Sequence, residues 1–518
     1  MLKLLDAKSE PDHVKASSQL ANDNLTRRLS LQVNRENITS HNPEVDKYTM
    51  LFSPPPAVDE PMPCPQLKEY LGNGVDPIDS KLPSPDWIPV PDAFRVRLME
   101  NKRVTPEDHW QDVRLLTLYM EAENEYGPGD TITIFPKNFP EDVQSLIDLM
   151  DWNGVADKPL RFEVTPPDLF ADPLLVTLPN GLYPLKDSTL RQLLTHNLDI
   201  TAIPKPFFFQ YISHFTSDPM HKERLQEFGD SAFRDEFYDY ATRPRRSILE
   251  VLVDFPSVKL PYQDVGCAFP FIRGRQFSIC SGGLGKQVGW PTTLAKTEPD
   301  HLVKVQILVA IVKYKTVLRK IRQGLCSRYI ASLKPDSVLN VKMDSNYDFY
   351  KAAERSPHCP IIMVAAGTGV APCRSLIWDR SSVVAMRALR DDSPPVGENV
   401  LIYGSRNKDK DFFFKDEWNS PALHTQVFTA FSRDQREKIY VQDVIRRESK
   451  KLLDLIMDGA IIYVCGSSGN MPKAVRESFL DAIMMHGIDS RGAPATREYA
   501  EKLLERLEKL GYYVQETW

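Results

Sequence analysis

The chain is poor in the features that mark several large classes of protein. It has 7 cysteines in 518 residues, an odd number, and no two form a C-x-x-C pair. That disfavours a disulfide framework and a zinc knuckle, leaves no metal-ligand set to expect, and suits a reducing compartment. No apolar run reaches the roughly 18 residues of a spanning helix, so no membrane span is expected. Met1–Leu5 is apolar, but polar and charged residues follow, without the apolar stretch of a secretory signal. The 64 basic and 70 acidic residues give a net charge of −6, which offers no general reason to expect nucleic acid. No internal repeat is visible.

What is present is ordinary for a globular protein: 42% hydrophobic and 26% charged residues. The length suggests about three domains, or two large ones with an extension, at roughly 100–200 residues each. Many of the 41 prolines fall in the first third of the chain. Residues 1–88 are polar, weakly periodic and interrupted by Ser53-Pro54-Pro55-Pro56, and read as a disordered linker or the remnant of an upstream domain. Order begins near Trp87. Phe94, Val96 and Leu98 alternate as in a strand, Val113–Tyr119 is a second strand, and a Tyr126–Asp130 turn leads into a third over Thr131–Phe135. Short strands divided by turns predict a β-barrel or sandwich.

Val143, Leu146, Ile147 and Met150 then recur at helical spacing, and the pattern from about 185 to 245 is mainly helical. Strand-like patterns return at 248–255 and 303–314. From 361 the rhythm becomes strand, turn, helix. Ile361–Ala366, Val400–Tyr403 and Ile461–Val464 are apolar runs, each followed by a glycine-bearing turn, which predicts a parallel sheet. Thr496–Leu510 reads as an amphipathic helix and Tyr512–Trp518 as a closing strand. The expected fold class is therefore α/β plus all-β.

Five constellations can carry chemistry. In Gly367-Thr368-Gly369-Val370-Ala371-Pro372, a buried strand enters a glycine turn and a proline suited to a helix start, where backbone can approach a pyrophosphate. The third glycine of the Rossmann fingerprint is lacking, and a tight turn alone explains the pattern as well. Arg406 follows one strand; Ser432 and Arg433 follow the next, with Lys438 and Tyr440 close behind. Ser432, Arg433 and Lys438 are the hydroxyl, guanidinium and ammonium types that a 2′-phosphate needs, and Tyr440 could stack on an adenine, although a solvated polar loop has the same composition. Arg275-Gln276-Phe277-Ser278 offers an arginine, a ring and a hydroxyl to a flavin dinucleotide. Gly324, Cys326 and Ser327 open a probable helix, with simple capping as the alternative for Ser327. Cys465 follows a buried strand and either borders a nicotinamide or is a small core thiol. Trp518 either frays with the chain end or covers a ring.

In this order the pieces resemble the ferredoxin–NADP reductase superfamily and, within it, the reductase portion of diflavin enzymes such as cytochrome P450 reductase. Asp108–Arg114 (DHWQDVR), Leu198–Pro206 (LDITAIPKP), Arg406–Asp411 (RNKDKD), Ala430–Gln435 (AFSRDQ) and Gln515–Trp518 (QETW) are most similar to the NADPH-dependent diflavin oxidoreductase 1 family, the cytosolic iron–sulfur assembly reductases.

The resemblance covers about residues 90–518. It implies an FAD-binding antiparallel β-barrel over 89–340, carrying a helical connecting insertion at about 185–245, and a parallel α/β NADP-binding domain over 341–518. On it, Arg275, Phe277 and Ser278 hold FAD, with Gly324, Cys326 and Ser327 on its pyrophosphate. Gly367, Thr368, Gly369, Pro372 and Arg406 serve the NADPH phosphates. Ser432, Arg433, Lys438, Tyr440 and Gln442 take the 2′-phosphate end. Ser278, Cys465 and Glu516 surround hydride transfer, and Trp518 shields the flavin. Phe277 stands where many relatives have tyrosine.

The family also implies FMN, but residues 1–90 contain no Ser/Thr-Gly phosphate loop and are too short for a flavodoxin-like fold, so that domain is not visible here. Electrons would pass from NADPH through FAD, and FMN where present, to a one-electron acceptor. The implied acceptor is an anamorsin-type iron–sulfur protein, in the cytoplasm and with mitochondria as a second setting. An acceptor of the P450-reductase or sulfite-reductase type, and a non-catalytic FAD/NADPH-binding scaffold, remain alternatives on the sequence alone.

Overall fold

Alternating apolar residues build the first sheet. Its strands are β1 (Ala93–Arg103), β2 (Val113–Glu121), β3 (Thr131–Ile134), β4 (Arg275–Ser278), β5 (Leu302–Ala310) and β6 (Val338–Asp344). All pair antiparallel, in the order β4-β3-β6-β1-β2-β5. Val96, Leu98, Leu116, Leu118, Ile132 and Ile307 point inward. The sheet curls until its ends meet, where Ile279 bridges Ile307 and the Cys280 N–H donates to the Gln306 carbonyl at 2.8 Å. The computed structural model describes residues 50–53, 81–83, 88–121, 126–164, 181–185, 188–286, 302–317, 319–345, 358–388, 396–488 and 492–518. The expected linker or remnant over 1–88 lies almost wholly outside the described residues.

A helical layer interrupts the barrel between β3 and β4. It contains α1 (Pro140–Leu149), α2 (Leu190–His196), α3 (Pro206–Ile212), α4 (Pro219–Gly229) and α5 (Ile248–Asp254). The aromatic-rich stretch supplies its core: Phe228 stacks on Tyr240 at 4.5 Å and meets Phe209 edge-on at 5.3 Å. The strand expected at 248–255 is instead α5. Ser247 and Glu250 form a reciprocal capping box that starts a helix, and Ile248, Val251 and Leu252 then fall on one buried face. The short apolar run fitted both periods, and the cap decided between them. One further helix, α6 (Leu325–Ser332), lies between β5 and β6.

The second sheet is parallel: β7 (Ile361–Ala366), β8 (Asn399–Ser405), β9 (Thr425–Phe431), β10 (Ile461–Gly466) and β11 (Tyr513–Thr517), in the order β9-β8-β7-β10-β11. Ile362 and Val364 pack against helices α8 (Val441–Arg447), α9 (Ser449–Met457), α10 (Met471–His486) and α11 (Arg497–Lys509). Met363 and Ala365 face α7 (Val370–Ala388). Burial on both faces is why β7, β8 and β10 are continuous apolar runs. Strand order reverses between β7 and β10, so their carboxyl ends open a crevice suited to a ligand.

The two sheets share a core. Val113, Cys280 and Leu308 from the barrel pack with Cys373, Leu376 and Ile377 of α7. The buried Arg374 guanidinium donates to both Glu417 oxygens at 2.8 Å and to the Cys280 carbonyl at 2.7 Å. The approach is close at Gly282, where a Cβ would lie 2.0 Å from the Ser375 carbonyl oxygen.

Candidate active site

A cleft of about 1370 Å³ runs from the barrel wall to the crevice of the parallel sheet. Its lining includes Arg275, Phe277 and Ser278 from β4, Gly324, Cys326 and Ser327 at the start of α6, Thr368 beyond β7, and Glu516 with Trp518 from the chain end. These positions are separated by up to 243 residues in sequence (518 − 275) and face one volume.

Each wall has a local cause. Pairing of Thr131 with Ser278 and of Ile132 with Phe277 holds β4, all four of whose residues line the cleft, on the edge of β3. At α6 the Ser327 hydroxyl accepts the Val312 N–H at 3.0 Å and donates to the Gly324 carbonyl at 3.1 Å. A Cβ on Gly324 would stand only 3.1 Å from that hydroxyl and 3.2 Å from Val312, so glycine lets the loop turn tightly into the helix. Gly324, Leu325, Cys326, Ser327 and Arg328 at the start of α6 line the cleft, and a helix start carries free N–H groups that can hold a pyrophosphate. Gly367 adopts φ +58°, and a Cβ on Gly369 would sit 2.4 Å from the Cys465 carbonyl oxygen, so α7 begins hard against the end of β10. Pro372 is buried in the first turn of α7.

The centre of the cleft is a hydrogen-bonded carboxyl. Ser278 Oγ donates to Glu516 Oε1, and the Tyr463 phenol donates to Oε2. Burial pushes the Glu516 pKa up, and the two donors pull it partly back. Glu516 reaches this position because β11 pairs parallel to β10, with Glu516 opposite Cys465. The terminal residue is held as well: the Trp518 N–H donates to the Gly466 carbonyl at 3.1 Å, and its carbonyl accepts from Ser468 at 3.0 Å. Trp518 lines the cleft and is 52% exposed.

Cys465 is not a cleft-lining group. It is fully buried among Tyr463, Cys373 and Leu401, and burial, the Cys373 thiol and the nearby Glu516 raise its thiol pKa well above the ordinary value. Sequence reading passed over Tyr463. It lies two residues before Cys465, hence on the same strand face, and that spacing was the available signal.

A second cluster lies at the carboxyl ends of β8 and β9. The Ser432 N–H donates to Ser405 at 3.0 Å and the Arg433 N–H to the Arg406 carbonyl at 2.9 Å, which brings the two arginines side by side. Burial and the Arg433 charge lower the Arg406 pKa, and Asp411 partly restores it. Tyr440 is 43% exposed, Lys438 is exposed on the same loop, and Gln442 lies in the first turn of α8. The two clusters fit a ligand pair. The cleft matches an aromatic ring system with a pyrophosphate, and the arginine pair matches a nucleotide phosphate.

Known proteins carry the same combination. Residues 90–329 match the FAD binding domain family and residues 363–477 the oxidoreductase NAD-binding domain family. The chain is 46% identical over 445 residues to the NADPH-dependent diflavin oxidoreductase 1 of Aspergillus fumigatus, covering 84% of this chain and 65% of that protein. The Emericella nidulans protein of the same name is 44% identical, again over 84% of this chain and 65% of its own length. The Danio rerio protein is 34% identical over 91% of this chain and 74% of its own length. The chain thus spans about 65% of the length of the fungal relatives. With both sheets, both domain families and these relatives in agreement, the chain belongs to the NADPH-dependent diflavin oxidoreductase 1 family.

Proposed function

We propose that the chain is the reductase portion of an electron-transfer flavoprotein, taking electrons from NADPH into FAD and passing them to a one-electron acceptor. The carrying observation is the Ser278–Glu516–Tyr463 array, which joins barrel and parallel sheet at a cleft that Trp518 also lines. When bound, FAD supplies the redox chemistry, accepting a hydride and releasing electrons singly. The protein's own groups bind, orient and exclude water. Arg275 and the start of α6 hold the pyrophosphate, and Phe277 packs on the ring. Ser278 orients the ring edge. Glu516, with its proton state set by Ser278 and Tyr463, faces the charge that develops on the nicotinamide. Trp518 covers the ring at rest and yields to the nicotinamide. Arg433 and Ser432 read the 2′-phosphate.

The diflavin name of the relatives supports a further relay through FMN, supplied outside residues 89–518. On the family likeness, the acceptor is an anamorsin-type iron–sulfur protein of cytosolic cluster assembly and the setting is the cytoplasm. Anaerobic NADPH titration of the purified chain, after its released flavin is quantified, tests the core of this reading. One FAD per chain, bleached by about one NADPH, is the expected result for a single two-electron flavin. Failure to take up FAD on reconstitution would overturn it.

A further inference from the structure

The nucleotide-phosphate cluster has a neighbour from the other sheet. Trp110, on the loop between β1 and β2 of the barrel, lies under the Arg406 guanidinium, whose central carbon is 4.0 Å from the indole centroid. Trp110 belongs to the DHWQDVR string, which the flavin and nicotinamide assignments leave unused.

The loop is built to hold that ring. The Arg103 guanidinium donates to the carbonyls of Thr105 at 3.1 Å, Pro106 at 2.9 Å and His109 at 3.3 Å. The Thr105 hydroxyl donates to the Gln111 carbonyl at 2.9 Å and accepts the Val113 N–H at 3.1 Å. Across the gap, Lys410 donates to Asp108 at 2.6 Å, and the buried His109 ring lies 3.9 Å from Asp411. Asp411 in turn accepts the backbone N–H of Arg406 at 3.1 Å and of Asn407 at 2.6 Å. The Asp411 carboxylate is therefore turned to main-chain amides.

An aromatic face and a carboxylate hold a guanidinium in different ways. A carboxylate occupies the N–H edge and neutralises the charge. An indole face attracts the cation through its quadrupole and leaves the in-plane N–H fork free. Arg406 is held in the second way, next to Arg433, which repels it. Without the ring, that repulsion and side-chain entropy would let Arg406 leave.

We propose that Arg406, which the resemblance groups with the residues serving the other NADPH phosphates, instead faces the 2′-phosphate beside Arg433, and that Trp110 is a specificity-determining positioning residue: from the flavin-binding sheet it presents the Arg406 fork to that phosphate, so that selectivity for the phosphorylated dinucleotide is shared between the two sheets. The inference rests on the Arg433 anion site proposed above and adds a residue from the other side of the interface. Trp110 remains 55% exposed as a residue, which leaves room for a ligand beside it.

The test is calorimetric binding of adenosine 2′,5′-bisphosphate and of 5′-AMP to the FAD-loaded full chain, without turnover. Trp110→Leu keeps bulk and removes the quadrupole. It should weaken the bisphosphate by about 2- to 30-fold, the range of exposed to desolvated cation–π contacts, and leave 5′-AMP unchanged. Trp110→Phe should lose less than Trp110→Leu. Unaltered bisphosphate binding in Trp110→Leu would overturn the proposal, as would equal losses for both ligands, which would mean that the ring acts on the adenosine or on loop structure. Arg433→Ala separates the two readings. If it leaves bisphosphate binding intact, the anion site itself is misplaced and this inference falls with it. If it weakens binding while Trp110→Leu does not, only the role of Trp110 is lost.

Discussion

Tyr463→Phe isolates the carboxyl at the centre of the cleft. Tyr463 is fully buried on β10, so phenylalanine fills the same space and only the hydroxyl is lost. Glu516 Oε2 then loses its donor, while Oε1 keeps Ser278. Leaving a buried acceptor unsatisfied costs about 1–3 kcal/mol, towards the upper end when the acceptor is charged. The sign of the pH effect follows from burial. Desolvation already raises the Glu516 pKa, and the two hydroxyl donors lower it, so removing one raises it further.

A carboxyl raised in the folded state contributes stability that is fully present below its unfolded pKa and is lost as pH rises through the folded value. The variant should therefore be less stable by the lower part of this range, about 1 kcal/mol, at acid pH, and by the upper part, about 3 kcal/mol, once Glu516 is ionised. The assay is the thermal midpoint of the FAD-loaded chain from about pH 5 to about pH 8, with the Glu516 carbonyl stretch followed by difference infrared spectroscopy. The infrared transition should move to higher pH, and the acid limb of the NADPH reduction rate with it. A deficit that does not depend on pH, or an infrared transition that moves down, would refute the assignment of Glu516 as the titrating group held by Tyr463.

Three other substitutions test the remaining parts. Trp518→Ala should raise NADH use relative to NADPH by about tenfold or more, because loss of an indole's apolar contact is worth over about 1.4 kcal/mol; unchanged preference in steady-state kcat/KM would remove the covering role. Arg433→Ala should cut kcat/KM for NADPH by about 10- to 100-fold, the worth of hydrogen bonds to a charged group, and spare NADH; equal losses would remove the 2′-phosphate role. Gly369→Ala places a methyl 2.4 Å from the Cys465 carbonyl oxygen and 2.8 Å from Gly466 Cα, both backbone, so α7 must move. A stability loss of about 1–3 kcal/mol is expected in thermal unfolding, and an unchanged midpoint would show that the crevice relaxes freely.

Much of the architecture could be read directly from the residues. The runs over Ile361–Ala366, Val400–Tyr403 and Ile461–Val464 are apolar because parallel strands are covered on both faces, and they became β7, β8 and β10. The closing Tyr512–Trp518 stretch read as a strand and is β11 over Tyr513–Thr517. Segment 248–255 misled because a short apolar run carries too few residues to separate a period of two from one of 3.6; the Ser247–Glu250 capping box carried the missing information.

Residue types and local conformation are legible along the chain: where backbone turns at Gly367, which strand faces are apolar, and which positions carry guanidinium, hydroxyl and ring. Which of these groups meet follows from packing in three dimensions. The parallel register of β11 on β10 sets Glu516 opposite Cys465 and within reach of Tyr463 and Ser278, while the Cys465 thiol turns into the core. Docking of the barrel on α7 brings Trp110 beneath Arg406, 296 residues away (406 − 110). Such contacts depend on sheet order and on packing between two sheets, and the local periodicities that a sequence displays extend over only a few residues.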